Sequence, residues 1–554
     1  MAWASNDSVV SPTQLWSAAS TLSPRVQHLR RQFWSFYERE YTNEVRAYTT
    51  GRPWDVVYSI WSWTNVPEIA LFQQGFRSYL RAAAQTVELP PDFWEEPLVV
   101  RQGLFFRKVV QACLPVEILE GELLVGSHFS TALSRCLQKN EARARDREEQ
   151  EFLKAWNELN NAGVGNCGAV PGHLVPNYPK VLRVGWKGIE DEARVIFNDP
   201  ASSREQKNLA RAIMISAEAT RDLAKRYAEK AQGLAEIEDD PLRREELIEI
   251  ARICQKVPWR PPETFPEALQ ALWFTHMLAM AAESYPGPGL SPGRVDQYLY
   301  PYYRADREAG RLTIEAAREW LHCWWIKHNY VYDYQGWTGT NQGINSSFGQ
   351  LITLGGMDAQ GNDASNELTY LLLEVIEEMN LLEPKPNIRI HARTPDKLLD
   401  RLVAMLARAQ GSPFLINFDE NSMAGLRWQG LPEERLWDYA PVGCLENTLA
   451  GDDRSGTVDV NLNLAKAIEL VLNDGRDMAT GKRFGPRTGD PKEFQRFSQF
   501  MEAFKRQLQA ILLKLMAANN LADAGRARWE PVSYLSALVD GCLQSGRDCN
   551  AGGA

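Results

Sequence analysis

Cys444 and Glu446 stand two residues apart in Ala440-Pro-Val-Gly-Cys-Leu-Glu-Asn-Thr448, a stretch broken by Pro441 and Gly443. In extended backbone, residues i and i+2 point the same way. A single loop can therefore aim both side chains into one cavity, pairing a reactive sulfur with an adjacent acid or base. The preceding Gly411-Ser-Pro-Phe-Leu-Ile-Asn-Phe418 reads as a buried strand, and strand-end loops are where open α/β architectures place their chemistry. Alone, a Cys-x-Glu is a weak signal, because most cysteines are small buried hydrophobes.

Two more side chains are candidates by position. His173 lies in Pro171-Gly-His-Leu-Val-Pro-Asn-Tyr-Pro179, an irregular stretch whose rigid turns aim side chains, and functional and structural roles are evenly balanced for it. Phe348 closes the polar loop Asn341-Gln-Gly-Ile-Asn-Ser-Ser-Phe348. It can wall a pocket for an apolar substrate, although a core-facing Phe at a strand start is the stronger reading of that segment alone. The other histidines offer no His-x-x-x-His pair, which argues against a histidine-rich metal site. His276, on an apolar helical stretch, reads as a satisfied core residue.

Three motifs are decoys. Gly163-Val-Gly-Asn-Cys-Gly168 matches G-x-G-x-x-G, but a charged helical pattern precedes it where a dinucleotide site needs a strand, so it reads as a tight loop. Gly289-Leu-Ser-Pro-Gly293 matches the nucleophile elbow, yet Pro292 has no N–H to give an oxyanion hole. The segment Arg294 to Tyr303 reads as an Arg294–Asp296 pair under a tyrosine cluster at the core.

The elements that must hold Cys444 and Glu446 follow from periodicity. Up to about residue 284 the pattern is mainly helical, with helices expected over 141–160, 203–235, 242–256 and 266–284. From about residue 340, short apolar runs alternate with helical stretches. Strands are expected at 351–355, 387–391 and 414–418, each followed by a helix (365–380, 395–410 and 421–429). Helices are also expected over 461–472 and 491–521. That alternation predicts strand–helix units around a parallel sheet or barrel. No internal repeat or clean domain boundary is visible.

Bulk composition excludes several classes. A net charge of −10 with both signs interspersed leaves no basic footprint for nucleic acid or a membrane surface. No run of about 18 apolar residues is present, and the N-terminus lacks the pattern of a signal peptide. The eight cysteines are scattered without a Cys-x-x-Cys, which argues against a disulfide framework, a zinc ribbon or an iron–sulfur ligand run. The expected setting is reducing and cytoplasmic.

Several segments, taken in order, carry a resemblance. They are Glu122-Leu-Leu-Val-Gly126, Pro171-Gly-His173 to Leu182, Gly293-Arg-Val-Asp-Gln-Tyr-Leu-Tyr-Pro-Tyr302, Leu351-Ile-Thr-Leu-Gly-Gly356, Gly443-Cys-Leu-Glu446 and the closing Leu543 to Ala554. Together they resemble the glycyl radical enzymes of the pyruvate formate-lyase superfamily. The resemblance implies an α/β fold, a barrel of parallel strands in two antiparallel half-barrels wrapped by helices. Here the barrel is expected to be incomplete, with a helix-rich N-terminal half. The resemblance implies that Cys444 becomes the thiyl radical and that Glu446 manages a proton beside it, in a dry cavity expected to raise the carboxyl pKa. His173, Phe348 and Asn447 fall at substrate-binding positions, and no metal is expected. The family's acid after the proline is Asn177 here, which departs from a charged substrate contact.

Within the superfamily, diol and choline eliminating members carry proline after the Cys-x-Glu. Asn447-Thr-Leu-Ala-Gly-Asp-Asp453 follows here, which looks more like the arylacetate decarboxylases acting on 4-hydroxyphenylacetate, phenylacetate or indoleacetate. The expected activity is decarboxylation of an arylacetate. The alternatives are a diol-dehydratase-like or other C–X lyase, or a non-catalytic remnant of the fold.

The resemblance further implies a radical stored on a glycine in an Arg-Val-x-Gly-Tyr-type loop, and no Gly-Tyr dipeptide occurs in residues 1–554. The chain is thus expected to be one pyruvate formate-lyase-type domain over 1–554 without the glycine radical domain, inert by itself and poorly soluble through an exposed sheet edge. No cofactor is expected to bind directly. The expected partners are a small-molecule substrate, an activating enzyme using S-adenosylmethionine and iron–sulfur chemistry, and a second copy in a homodimer.

Overall fold

The computed structural model describes residues 22–29, 87–114, 116–126, 136–168, 173–282, 289–328, 350–379, 383–407, 415–443, 446–453 and 459–553. Cys444 and Phe348 lie outside the described residues.

The helices Leu98–Ala112, Tyr178–Asn198, Arg204–Ile237, Pro241–Lys256 and Phe265–Ala282 pack into the larger core. Their limits follow local chemistry. Ser203 caps Arg204–Ile237, accepting from the Gln206 N–H at 3.1 Å while the Gln206 side chain accepts from the Ser203 N–H at 2.8 Å. Asp240 caps the next helix, with Pro241 in its first position. Phe265–Ala282 is apolar almost all round and is buried along nearly its whole length, as its sequence predicts.

His276, on that helix, accepts at Nδ1 from the Tyr178 hydroxyl at 2.5 Å and faces Gln350 Oε1 at 2.7 Å through Nε2. His328 shares the same oxygen through Nδ1 at 2.7 Å. Burial pushes the His276 imidazole down to about 4. It is a neutral, satisfied core histidine, as expected.

Strand and helix then alternate. Strand β1 (Gly165–Cys167) precedes the main sheet, which is built from β2 (Leu351–Gly355), β3 (Lys385–Ile390) and β4 (Leu415–Phe418). All three pair in parallel in the order β2-β3-β4, with helices Glu367–Met379 and Asp396–Ala407 as the crossovers. Residues 291–293 extend the sheet. The Thr353 N–H donates to the Gly293 carbonyl at 2.7 Å, and Gly293 bridges Ile352 in parallel. Ile352, Leu354 and Ile388 point into the helix-covered core, so Thr353, Asn387 and Arg389 take the other face. That inner face meets the hairpin of β5 (Tyr439–Val442) and β6 (Glu446–Leu449), in which Val442 lies opposite Glu446.

A smaller core joins helices Lys139–Asn161, Leu464–Leu472 and Phe497–Trp529. Here the structure corrects three expectations. Residues 165–167 are a strand and not only a loop, because they pair antiparallel with β7 (Val460–Leu462). The helix expected from residue 461 starts at Leu464, capped by Asn463, whose side chain accepts from the Lys466 N–H at 3.2 Å. The last long helix runs Phe497–Trp529 and not 491–521, since Pro491 opens a separate short turn.

Apolar surface is left exposed. Phe418 on edge strand β4 is 55 % exposed, and Leu513 and Met516 on the last long helix are 60 % and 56 % exposed. No described helix is long and apolar enough to cross a membrane.

Candidate active site

Three segments converge around the His173 ring, close to Gly443, the residue before Cys444 in the sequence. The first is 173–177. His173 has a left-handed backbone, φ 55°, which side-chain-bearing residues seldom adopt. The residues after it are tied down. Leu174 O accepts from the Ser291 N–H at 3.1 Å, Val175 O from the Gly451 N–H at 2.6 Å, and the Asn177 N–H donates to Leu538 O at 2.8 Å. These bonds hold the strained turn, and strain kept this way concentrates at functional sites.

The second segment is 289–293. Its Gly289 lets the His173 ring approach so closely that a Cβ there would lie 2.8 Å from Nδ1 and Cε1. Ser291, the decoy nucleophile, is structural. Its hydroxyl donates to Gly289 O at 3.0 Å and accepts from the Leu351 N–H at 3.0 Å, so both of its roles are spent on the backbone.

The third segment is the hairpin. A Cβ at Gly443 would lie 2.3 Å from His173 Cδ2 and Nε2, and 3.0 Å from Glu446 Oε2. An imidazole and a carboxylate therefore meet at the residue immediately before Cys444. His173 is buried, whereas Glu446 and Asn447 are half-buried, less enclosed than the dry cavity expected.

Two buried arginines anchor the hairpin base to the sheet. Arg389 donates to both oxygens of Asp419 at 2.8 and 3.0 Å, and to Tyr439 O at 2.8 Å; its guanidinium lies 3.9 Å from the centre of the Tyr439 ring. Arg294 donates to Trp437 O at 3.0 Å, Gly355 O at 3.2 Å and Met357 O at 3.0 Å, and pairs with Asp438 at 3.2 Å. Burial, with the Arg389 charge nearby, pulls Arg294 down to about 10, still cationic at neutral pH.

The expected Arg294–Asp296 pair is thus corrected. Asp296 instead accepts from the Gly355 N–H at 2.8 Å and the Thr369 hydroxyl at 2.5 Å, and Arg294 serves the hairpin. Asn177 caps helix Tyr178–Asn198 and donates to Asp540 at 3.1 Å, so its side chain is committed to structure.

Sequence reasoning missed the inner wall. Asn387 donates through Nδ2 to Asn417 Oδ1 at 2.8 Å, and Asn417 Nδ2 donates to Asn447 Oδ1 at 3.0 Å. This amide ladder runs from the sheet to the residue after Glu446. The alternation Asn387-Ile-Arg389-Ile was the available signal, because it sends two polar residues to one face of a strand whose other face is core. Among the described residues no cluster of His, Cys, Asp and Glu could hold a metal ion.

A three-stranded parallel sheet, covered by helices on one face and met on the other by the hairpin β5–β6, defines an α/β fold. The chain belongs to the pyruvate formate lyase-like family, whose model matches residues 138–554, and within it to the glycyl radical enzymes. It is 33 % identical over 390 residues to the (2S)-3-sulfopropanediol dehydratase of Klebsiella oxytoca, covering 69 % of this chain and 47 % of that one. It is 36 % identical over 377 residues to the isethionate sulfite-lyase of Oleidesulfovibrio alaskensis, covering 67 % and 45 %. It is 29 % identical over 339 residues to the indoleacetate decarboxylase of Tractidigestivibacter scatoligenes, covering 60 % and 38 %. Among solved structures, the glycerol-bound B12-independent glycerol dehydratase of Clostridium butyricum superposes with a TM-score of 0.75 at 28 % identity, over 86 % of this chain and 65 % of that one. The chain spans less than half the length of these three sequence relatives.

Proposed function

We propose that the full-length protein containing this chain is a glycyl radical lyase that eliminates a leaving group from a small polar substrate. The observation that carries the reading is the meeting of His173 and Glu446 at Gly443, the residue before Cys444. A thiyl radical at Cys444 takes a hydrogen atom from a substrate carbon, forming S–H as C–H breaks. The neighbouring C–X bond then breaks and X leaves with the bonding electron pair. One of His173 and Glu446 receives the substrate hydroxyl proton and the other supplies a proton to X. The product radical recovers a hydrogen atom from the Cys444 thiol, so the net change is loss of HX. Two proton-exchanging groups flanking one abstraction site are what this sequence of steps requires.

Family members carry the radical on a glycine installed by an activating enzyme, and the same is proposed for the full-length protein. Phe348, near the entry to β2, is proposed as a further substrate contact.

Elimination is favoured over the expected arylacetate decarboxylation by the amide-lined inner wall, which suits a hydroxylated substrate better than an aromatic ring. The decarboxylase stays as the second reading, since Asn447-Thr-Leu and not proline follows the Cys-x-Glu. Anaerobically activated full-length protein is offered propane-1,2-diol, isethionate and indoleacetate, and the products are assayed. Aldehyde or sulfite is the expected product. CO₂ release from indoleacetate without either would install the second reading, and no turnover of any class would favour a non-catalytic remnant.

A further inference from the structure

The inner face carries two polar groups that the mechanism above does not use. Thr353 and Asn387 are direct partners across β2 and β3, and both are 0 % exposed. The Thr353 hydroxyl oxygen and Asn387 Oδ1 nonetheless have no hydrogen-bond partner among the described residues. Buried polar atoms are nearly always satisfied, by protein, water or ligand. Two open ones side by side, on the face that meets the catalytic hairpin, mark a place where something else binds.

The ladder sets the polarity of that place. Each amide donates toward the hairpin, from Asn387 to Asn417 and from Asn417 to Asn447. Its sheet end is therefore a carbonyl oxygen, which only accepts. The adjacent Thr353 hydroxyl both donates and accepts. An alcohol satisfies the two together, giving its hydrogen to Asn387 Oδ1 and receiving the hydrogen of Thr353. A carboxylate or sulfonate oxygen can use Thr353 but meets the Asn387 oxygen with like partial charge.

We propose that Thr353 and Asn387 form a recognition site for a neutral hydroxyl of the substrate, set at the far end of the amide ladder from Glu446. The proposal rests on the lyase reading for the place of this hydroxyl in turnover, while binding can be tested apart from chemistry. Affinities of propane-1,2-diol, propan-1-ol and lactate are measured calorimetrically on the full-length protein without activation. The variants are Thr353→Val, which keeps shape, and Thr353→Ser, which restores the hydroxyl.

Thr353→Val is expected to weaken diol binding about tenfold. It should weaken propan-1-ol binding as well, since the hydroxyl of that alcohol takes the same site, and should not lower Tm, since it removes an unsatisfied buried group. Thr353→Ser should bind the diol like the unaltered protein. Asn387→Leu should lose affinity for the diol and lower Tm as well, because it also cuts the ladder. Equal diol affinity in Thr353→Val, preference for lactate over the diol, or no diol binding to the unaltered protein would each overturn the proposal. Because no radical is involved, failure of the Cys444 chemistry leaves this result standing. An active lyase whose Thr353→Val variant binds normally rejects the hydroxyl site alone.

Discussion

Placing one methyl group at position 443 is expected to cost at least about a hundredfold in turnover. Gly443 has φ 58°, a left-handed backbone in which an L side chain costs about 1–2 kcal/mol. The added Cβ would sit 2.3 Å from the His173 imidazole, far inside contact distance. The ring also abuts Gly289, which narrows its room to turn aside, and the following backbone is held by bonds to Ser291, Gly451 and Leu538. The strain must therefore move the hairpin, the imidazole or both. Displacement of reacting groups by about 1 Å is enough for a loss of about 10²-fold. Gly443→Ala should fold, with a Tm a few degrees lower, and should fail chiefly in kcat. Turnover within threefold of the unaltered protein would show that His173, Glu446 and the Cys444 turn do not act as one site.

The second large effect is on stability. Arg389 and Asp419 are both completely buried, and Asp419 also accepts from the Tyr439 hydroxyl and the Met357 N–H, each at 2.8 Å. Removing only the guanidinium strands a buried carboxylate, a change that typically costs about 3–5 kcal/mol. Arg389→Met should reach that range in urea unfolding. The double variant Arg389→Met with Asp419→Leu should recover much of it, because no charge is then left without its partner. A single-variant cost below about 1 kcal/mol would mean that the pair does not anchor the hairpin.

The main strands and the elements around them were legible because their signals are local. Leu351–Gly355 is an apolar run ended by glycines, and it folds with the limits its sequence predicts. Asp240-Pro241 and Ser203 with Gln206 mark helix starts through bonds made within four residues. Where pairing decides, the reading fell short. Gly165–Cys167 becomes a strand only because Val460–Leu462, almost 300 residues later, supplies its partner.

The site divides in the same way. Spacing singles out Cys444 and Glu446 and the resemblance adds their roles with His173, and of these the structure brings His173 and Glu446 together. Their meeting at Gly443 depends on a histidine and a glycine 270 positions apart. Arg294 was assigned to the wrong carboxylate for the same reason. Asp296 is its neighbour in sequence, but its ion pair is with Asp438, across the sheet end. The ladder Asn387–Asn417–Asn447 links three separate strands, and no local pattern reveals such a link.

The central proposal is that Cys444 is the atom-abstracting residue of the full-length protein, with Glu446 and His173 as its proton-exchanging partners. The most direct measurement is a paired one on anaerobically activated full-length protein carrying Cys444→Ser: the glycyl radical signal by electron paramagnetic resonance, and turnover of the substrate. The expected result is an undiminished radical signal with no detectable product, since a serine hydroxyl does not replace the thiol in hydrogen abstraction. Product formation by Cys444→Ser at a rate comparable to the unaltered protein would contradict the account.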